Sequence, residues 1–204
     1  MSDLVHDPLN ILITGVGGQG NVLASQVLGR ALLAAGYVVT VGETYGLSQR
    51  GGAVMSMVRV SRDRTMGPLI PENQATAIVS LEPLEALRVL PQYGQPEVVV
   101  ITNDRPLLPI NVISGQSSYP DLADLKAALG QVAGRLLWVP ATQAALALGS
   151  PILANVVMLG ALAASGILPI GLKEIEAGLA QMFPPAKMAP NREALSRGWK
   201  MVRS

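Results

Sequence analysis

A short glycine-rich segment near the start of the chain has the spacing of a phosphate-binding loop. Residues 15–20 fit the pattern G-x-G-x-x-G between a predicted strand and a predicted helix. Glycines there let the backbone turn tightly and bring its N–H groups against a phosphate at the helix N-terminus. Close strand–helix packing without a ligand is the alternative, and the sequence leaves both open. The candidate binding residues are Gly15, Gly17, Gly18, Gln19 and Gly20.

A possible dinucleotide site follows from the same segment. Glu43 closes the next predicted strand, roughly 20 residues beyond the loop, where a dinucleotide-binding unit has the acid that binds a ribose. A hydride-transfer enzyme would also need a proton donor and a substrate anchor. No downstream cluster of ionisable residues supplies them. A stand-alone NAD(P)-binding oxidoreductase is therefore the alternative function.

A second glycine-rich stretch, residues 42–52, carries an arginine between glutamine and glycine. Arg50 is followed by Gly51 and Gly52. A guanidinium beside open backbone amides is suited to binding an anion or a partner chain. A salt bridge from Arg50 to Glu43 that fixes the loop is the structural alternative. We count Arg50, Gly51 and Gly52 as candidate contacts and Glu43 as a structural or interface residue.

The residue types that most often perform catalysis are scarce in this chain. It has no cysteine and one histidine, His6, in the N-terminal segment. The absence of cysteine excludes a disulfide scaffold, a thiolate zinc site, a cysteine-ligated iron–sulfur cluster and a cysteine nucleophile. A single histidine argues against a histidine-rich metal site and a Ser-His-Asp triad. We assign no catalytic residue and no metal site.

The composition narrows the class of partner. Of the 204 residues, 50% are hydrophobic and 14% are charged, and the net charge is +1. This charge argues against nucleic acid. The longest apolar stretch, residues 152–168, falls short of the roughly 20 residues that cross a bilayer. No signal peptide precedes it, so we expect a cytoplasmic protein. The apolar excess indicates a surface buried against another subunit, or a large core.

Strand and helix patterns alternate along the chain and predict the fold class. Strands are predicted at residues 11–14, 37–41, 53–60, 77–81, 98–102 and 136–139. Helices are predicted at residues 21–35, 84–90, 121–129, 141–148, 152–165, 169–182 and 192–202. This order predicts an α/β protein with a single three-layer α/β/α domain, a mostly parallel or mixed sheet and a Rossmann-like first βαβ unit.

The predicted organisation has three parts. Residues 1–9 form a flexible N-terminus, residues 10–183 the α/β domain, and residues 184–204 a basic helical extension packed on the same domain. The basic residues of the extension form a solvated face or a docking surface for an acidic partner. Asn155, in an apolar helix, needs a hydrogen-bond partner, so it caps a neighbouring loop or faces a subunit.

Several motifs occur in the order of a known family. The glycine loop is followed by residues 42–46 and 49–52, then Pro-Leu-Ile-Pro at 68–71 and Ser-Leu-Glu-Pro-Leu-Glu-Ala-Leu at 80–87. The match continues with residues 155–161, residues 168–170, and Asn191 ahead of Gly198. The chain resembles the gamma-type module of the 2-oxoacid:ferredoxin oxidoreductases. Residues 80–87 narrow this to the beta subunits of indolepyruvate ferredoxin oxidoreductases.

The resemblance implies a subunit that is inactive alone. With an alpha subunit it would catalyse the CoA-dependent oxidative decarboxylation of a 2-oxoacid such as indolepyruvate, and electrons would pass to ferredoxin. The resemblance implies that thiamine diphosphate, magnesium and the iron–sulfur clusters lie on the alpha subunit, and that this chain holds no cofactor. Residues 15–20 and 50–52 would then contact coenzyme A, a phosphate or the alpha subunit.

Overall fold

The computed structural model describes residues 3–45, 53–108 and 110–203. Within them, six strands form one sheet in the order β2-β3-β1-β4-β5-β6. The strands are β1 (Leu9–Val16), β2 (Val38–Tyr45), β3 (Ala53–Ser61), β4 (Ala75–Ser80), β5 (Gly94–Asn103) and β6 (Arg135–Val139). The helices are α1 (Asn21–Ala34), α2 (Pro83–Tyr93), α3 (Ile110–Ile113), α4 (Leu122–Val132), α5 (Ala141–Leu146), α6 (Ala154–Ala164), α7 (Leu172–Ala180) and α8 (Met188–Arg203).

The sheet is mixed, and its strand pairing confirms the predicted fold class. β1, β4, β5 and β6 pair in parallel, whereas β3 runs antiparallel to both of its neighbours, β1 and β2. Parallel strands require crossover helices, which bury both faces of the sheet. The near-continuous apolar run of β1 follows from this, because every residue of the strand is buried.

The first βαβ unit contains an inserted strand. β3 lies between β1 and β2, so Glu43 in β2 pairs with Ser56, and Ser56 pairs with Ile13 in β1. Neighbouring strands are about 4.8 Å apart, which places the backbone of Glu43 about 10 Å from that of β1. In a dinucleotide-binding unit β2 neighbours β1 directly. The acid therefore lies one strand further from the glycine loop than the dinucleotide interpretation needs.

Side chains alternate across β1 into two apolar layers. Ile11 and Ile13 join the larger core, which contains residues of α1, α5, α6, α7 and α8. Leu12 joins the smaller core on the opposite face, formed with α2 and with Leu129 of α4. The two cores account for the three predicted layers.

The most apolar segment of the sequence is a central helix. Every residue of α6 from Asn155 to Ala164 is buried, because the helix packs against α1, α5, α7 and α8 as well as β5. Across the described residues, no helix combines the length and apolarity needed to span a membrane.

Candidate functional site at the carboxyl edge of the sheet

The glycine loop, residues 15–20, joins the end of β1 to the start of α1. From here β1 connects towards β2 on one side, and its neighbour β4 connects through α2 towards β5 on the other. Open α/β sheets bind ligands outside the carboxyl ends of their strands, at such a change of direction. The topology thus places the loop where this class of fold forms binding sites.

One glycine of the loop is needed for packing against the sheet. A Cβ on Gly15 would lie 2.7 Å from Oε1 of Gln19 and 3.1 Å from Cβ of Leu81. Gln19 fills the inside of the loop: its Oε1 accepts a hydrogen bond from the N–H of Val16 at 2.7 Å, and its Nε2 donates to the carbonyl of Leu81 at 3.0 Å. The amide of Val16 is therefore already used, and the loop is held to the end of β4.

Gly20 is packed against α6. It precedes α1 with φ 91°, and a Cβ on it would overlap Nδ2 of Asn155. Asn155 is 1% exposed and donates from Nδ2 to the carbonyl of Gly20 at 3.4 Å. Among the described residues its Oδ1 has no hydrogen-bond partner. Asn155 thereby connects the start of α6 to the start of α1, so two helix N-termini meet at the glycine loop.

Gly18 faces open space. Its φ is +97°, and no heavy atom lies within 4 Å of the position that a Cβ would take. It borders a concavity of about 280 Å³ at the start of α1 and a larger cleft of about 480 Å³. The side of the loop that Gly18 presents is therefore accessible to a ligand or a partner chain.

We call the larger concavity the edge cleft. Its walls come from the glycine loop, the ends of β4 and β5, the segment after β5 and the region from α5 to α6. Leu107, Leu146 and Ile152 line it and are 44%, 53% and 62% exposed. Arg105 is an exposed cation in the same lining. The edge cleft thus combines apolar walls with a positive charge.

An amide network fixes the floor of the edge cleft. Asn103, at the end of β5, is 2% exposed. Its Nδ2 donates to the carbonyl of Leu81 at 3.1 Å and to Oγ1 of Thr142 at 2.9 Å, and its Oδ1 accepts from the N–H of Thr142 at 3.1 Å. Buried amides that are satisfied in this way make the strand ends rigid.

The residue after Leu81, Glu82, carries a buried carboxylate. Glu82 is 1% exposed. It caps the start of α2, because its Oε2 accepts a hydrogen bond from the N–H of Glu85. Its Oε1 accepts from the N–H of Leu107 at 3.4 Å and from the hydroxyl of Tyr119. Both donors to Oε1 come from the segment between β5 and α4. No local pattern singles out Glu82 within the motif at residues 80–87, because two of its partners are distant in sequence.

Burial shifts the pKa values of two ionisable groups around Glu82, those of Tyr119 and Glu85. Burial, followed by the hydrogen bond to Glu82, raises the pKa of the Tyr119 hydroxyl, which therefore remains a donor. Burial also raises the pKa of Glu85 above its usual range, while Arg88, at 2.6 Å, opposes the shift.

The other predicted site residues are not gathered at the loop. Arg50, Gly51 and Gly52 lie outside the described residues. Glu43 is two strands away from β1, so the geometry gives no support to a ribose-binding acid beside residues 15–20.

The residues present do not fit an iron–sulfur cluster, and the described ones do not fit a metal ion. The chain has no cysteine to ligate an iron–sulfur cluster. Within the part of the chain that the structure describes, no three His, Cys, Asp or Glu side chains are grouped so that they could hold a metal ion.

Comparison with known proteins identifies the relatives of this chain. It is 38% identical over 195 residues to indolepyruvate oxidoreductase subunit IorB of Pyrococcus horikoshii, covering 95% of this chain and 96% of that protein. The same subunit of Archaeoglobus fulgidus is 36% identical over 194 residues, covering 95% of each chain.

Solved structures share the fold. Pyruvate oxidoreductase subunit PORC of Thermotoga maritima superposes with a TM-score of 0.71 at 23% identity, covering 96% of this chain and 97% of that one. A chain of 2-oxoglutarate:ferredoxin oxidoreductase from Magnetococcus marinus, with 2-oxoglutarate, coenzyme A and succinyl-CoA bound, gives 0.73 at 21% identity. The match covers 97% of this chain and 31% of that one.

The family model described as pyruvate ferredoxin/flavodoxin oxidoreductase matches residues 10–201. These residues include all but the first residue of β1, most of α8 and every strand and helix between them. The chain belongs to the pyruvate ferredoxin/flavodoxin oxidoreductase family.

Proposed function

We propose that this chain is the small, non-catalytic subunit of a 2-oxoacid:ferredoxin oxidoreductase that acts on arylpyruvates such as indolepyruvate. The observation that carries the proposal is the similarity to indolepyruvate oxidoreductase subunits along nearly the whole chain. The lack of cysteine is consistent with it, because a subunit without clusters needs no thiolate ligands.

The proposal divides the work between two chains. An alpha subunit carries thiamine diphosphate, magnesium and the iron–sulfur clusters, which supply the decarboxylation and electron-transfer chemistry and pass electrons to ferredoxin. This chain binds the alpha subunit and helps to enclose coenzyme A. Two exposed leucines and one exposed isoleucine at the edge cleft, Leu107, Leu146 and Ile152, are suited to an apolar contact.

Within this proposal, the glycine loop and residues 50–52 contact a phosphate of coenzyme A or the alpha subunit. The N-termini of α1 and α6 meet there, and neither helix has an acidic residue in its first turn. Helix N-termini favour anions because their first amides lack intrahelical partners. Gly17 and Gly18 line the concavity at the start of α1, and Arg105 adds positive charge at the edge cleft.

Reconstitution tests the proposed function. The purified chain is expected to be inactive alone and, when mixed with its alpha partner, to restore arylpyruvate- and CoA-dependent reduction of viologen. Each chain alone is the control. If mixing produces no rise in activity, the proposed function is wrong.

Substitution of Arg50 tests the contact. Arg50→Ala is expected to raise the KM for coenzyme A or the Kd of the complex, because a charge-assisted hydrogen bond is lost. Arg30→Ala, an exposed arginine on α1, is the matched control and is expected to change neither. If the two variants behave alike, Arg50 makes no contact.

A further inference from the structure

The segment between β5 and α4 forms one wall of the edge cleft, and its described side chains give it little apolar anchorage. We call its described residues, 104–108 and 110–121, the strap. Arg105, Pro106 and Leu107 of the strap line the edge cleft. None of its described side chains between 104 and 120 belongs to either hydrophobic core, and Leu107, Leu108 and Ile113 are exposed. Since its described side chains supply no buried apolar anchor, polar contacts are expected to contribute more to the position of this segment.

Glu82 makes such contacts at two points of the strap, and the N–H of Asp104 also donates to the carbonyl of Val139 at 3.0 Å. The N–H of Leu107 and the hydroxyl of Tyr119, twelve residues apart in sequence, both donate to Oε1 of this one carboxylate. Oε2 is used separately, by the N–H of Glu85. The two oxygens therefore join two elements: one holds the start of α2 and the other holds the strap.

The contact of Oε1 with the strap explains why the residue before α2 is a glutamate, which the contact with the N–H of Glu85 alone does not. Ser, Thr, Asp and Asn are the usual residues before a helix, because their short side chains reach the N2 or N3 amide. A glutamate at that place must bury a longer charged group, which is costly unless donors surround it. Tyr119, Leu107 and Glu85 supply those donors.

We propose that Glu82 is a positioning residue that holds the strap against the sheet and thereby maintains the wall of the edge cleft. This inference rests on the proposed function for its consequence, since the edge cleft is where that function places coenzyme A or the alpha subunit. The Glu82–Tyr119 contact acts through the strap and does not touch the reacting atoms.

Tyr119→Phe tests the contact with little risk to folding, because it removes one hydroxyl from a partly exposed side chain. Hydrogen exchange of the full chain is expected to rise about tenfold in residues 104–119, since a hydrogen bond to a charged group is lost, and to stay unchanged in β1 and α1. Tyr93→Phe is the matched control, because this partly buried tyrosine lies at the end of α2, outside the strap.

The reconstituted complex provides the second measurement. Tyr119→Phe is expected to raise the KM for coenzyme A about threefold or more while kcat stays within about twofold, the signature of altered binding rather than lost enzyme. Glu82→Gln, which keeps one carbonyl oxygen for Tyr119, is expected to give a smaller rise than Glu82→Ala.

The outcomes separate this inference from the proposed function. If wild-type chain fails to restore activity, the proposed function is wrong, while the exchange data still test the strap. If wild type restores activity but Tyr119→Phe leaves exchange in residues 104–119 unchanged, Glu82 does not hold the strap. If exchange rises and kcat falls with KM unchanged, the contact is merely structural and the positioning role is overturned.

Discussion

Two of the regions in which glycine brings backbone close to its surroundings give different results. At the crossing of α6 and α8, a Cβ on Gly160 would overlap the carbonyl oxygen of Leu195, and one on Gly198 would overlap that of Val157. In the glycine loop, Gly15 and Gly20 meet side chains, and Gly18 meets nothing within 4 Å. At the crossing the backbones of the two helices are in direct contact, whereas the glycine loop has one side that is packed and one that is open.

The difference teaches what glycine spacing can indicate. The spacing in residues 15–20 predicts a close approach of backbone but not what approaches it. Gly15 and Gly20 serve packing, which was the alternative to phosphate binding, whereas Gly18 has the free space that a ligand requires. At the crossing, glycine substitutes for a ridge-and-groove fit by letting two helices touch directly.

The largest expected effect is at the crossing. Gly198→Ala should lower the free energy of unfolding by about 3 kcal/mol, because backbone atoms of α6 cannot move aside as a flexible side chain can. Urea denaturation measures the loss. The matched control is Gly130→Ala on α4, where a Cβ would have only an ordinary contact with Leu136. This exposed helical glycine should give a gain of about 1 kcal/mol. Equal losses at both positions would show that the crossing is not a tight contact.

A smaller loss is expected on the packed side of the loop. Gly20→Ala should cost about 2 kcal/mol, from a positive φ together with overlap of Asn155. The same urea titration applies. Combining it with Asn155→Ala should recover the part due to overlap but not the part due to φ, although the hydrogen bond to Gly20 is also lost. If the double variant is as unstable as the sum of the single ones, Asn155 does not press on Gly20.

Local elements of the fold could be predicted because their signals are local. β1 and α1 follow from an apolar run and from helical spacing, and both occur where predicted, with β1 longer at each end. The place of β3 between β1 and β2 could not be predicted, because strand pairing is non-local and Ala53–Ser61 carry no local signal for their partners. α8 begins at Met188, ahead of the predicted residue 192, because Pro190 is tolerated in a first helical turn.

In the candidate site, too, the part that is local in sequence could be predicted and the part that joins distant residues could not. The glycine loop was found because its spacing is contiguous in sequence. The Glu82–Tyr119 contact joins residues 37 positions apart and involves residue types that are common on surfaces. The Glu82–Tyr119 contact stands out only because the carboxylate is buried, and burial is a property of the folded chain.

The smallest loss of stability is expected on the open side of the loop, where it separates the two uses of glycine. Gly18→Ala and Gly166→Ala share a positive φ and open space, so each should cost about 1 kcal/mol in urea denaturation. Gly166 follows α6 at the opposite edge of the sheet and is the matched control. In the reconstituted complex, only Gly18→Ala should raise the KM for coenzyme A or the Kd for the alpha subunit, because only its new methyl group enters a surface proposed to bind. If both variants, equally destabilised, left the complex unaltered, the open side of the loop would be a consequence of its turn rather than a contact.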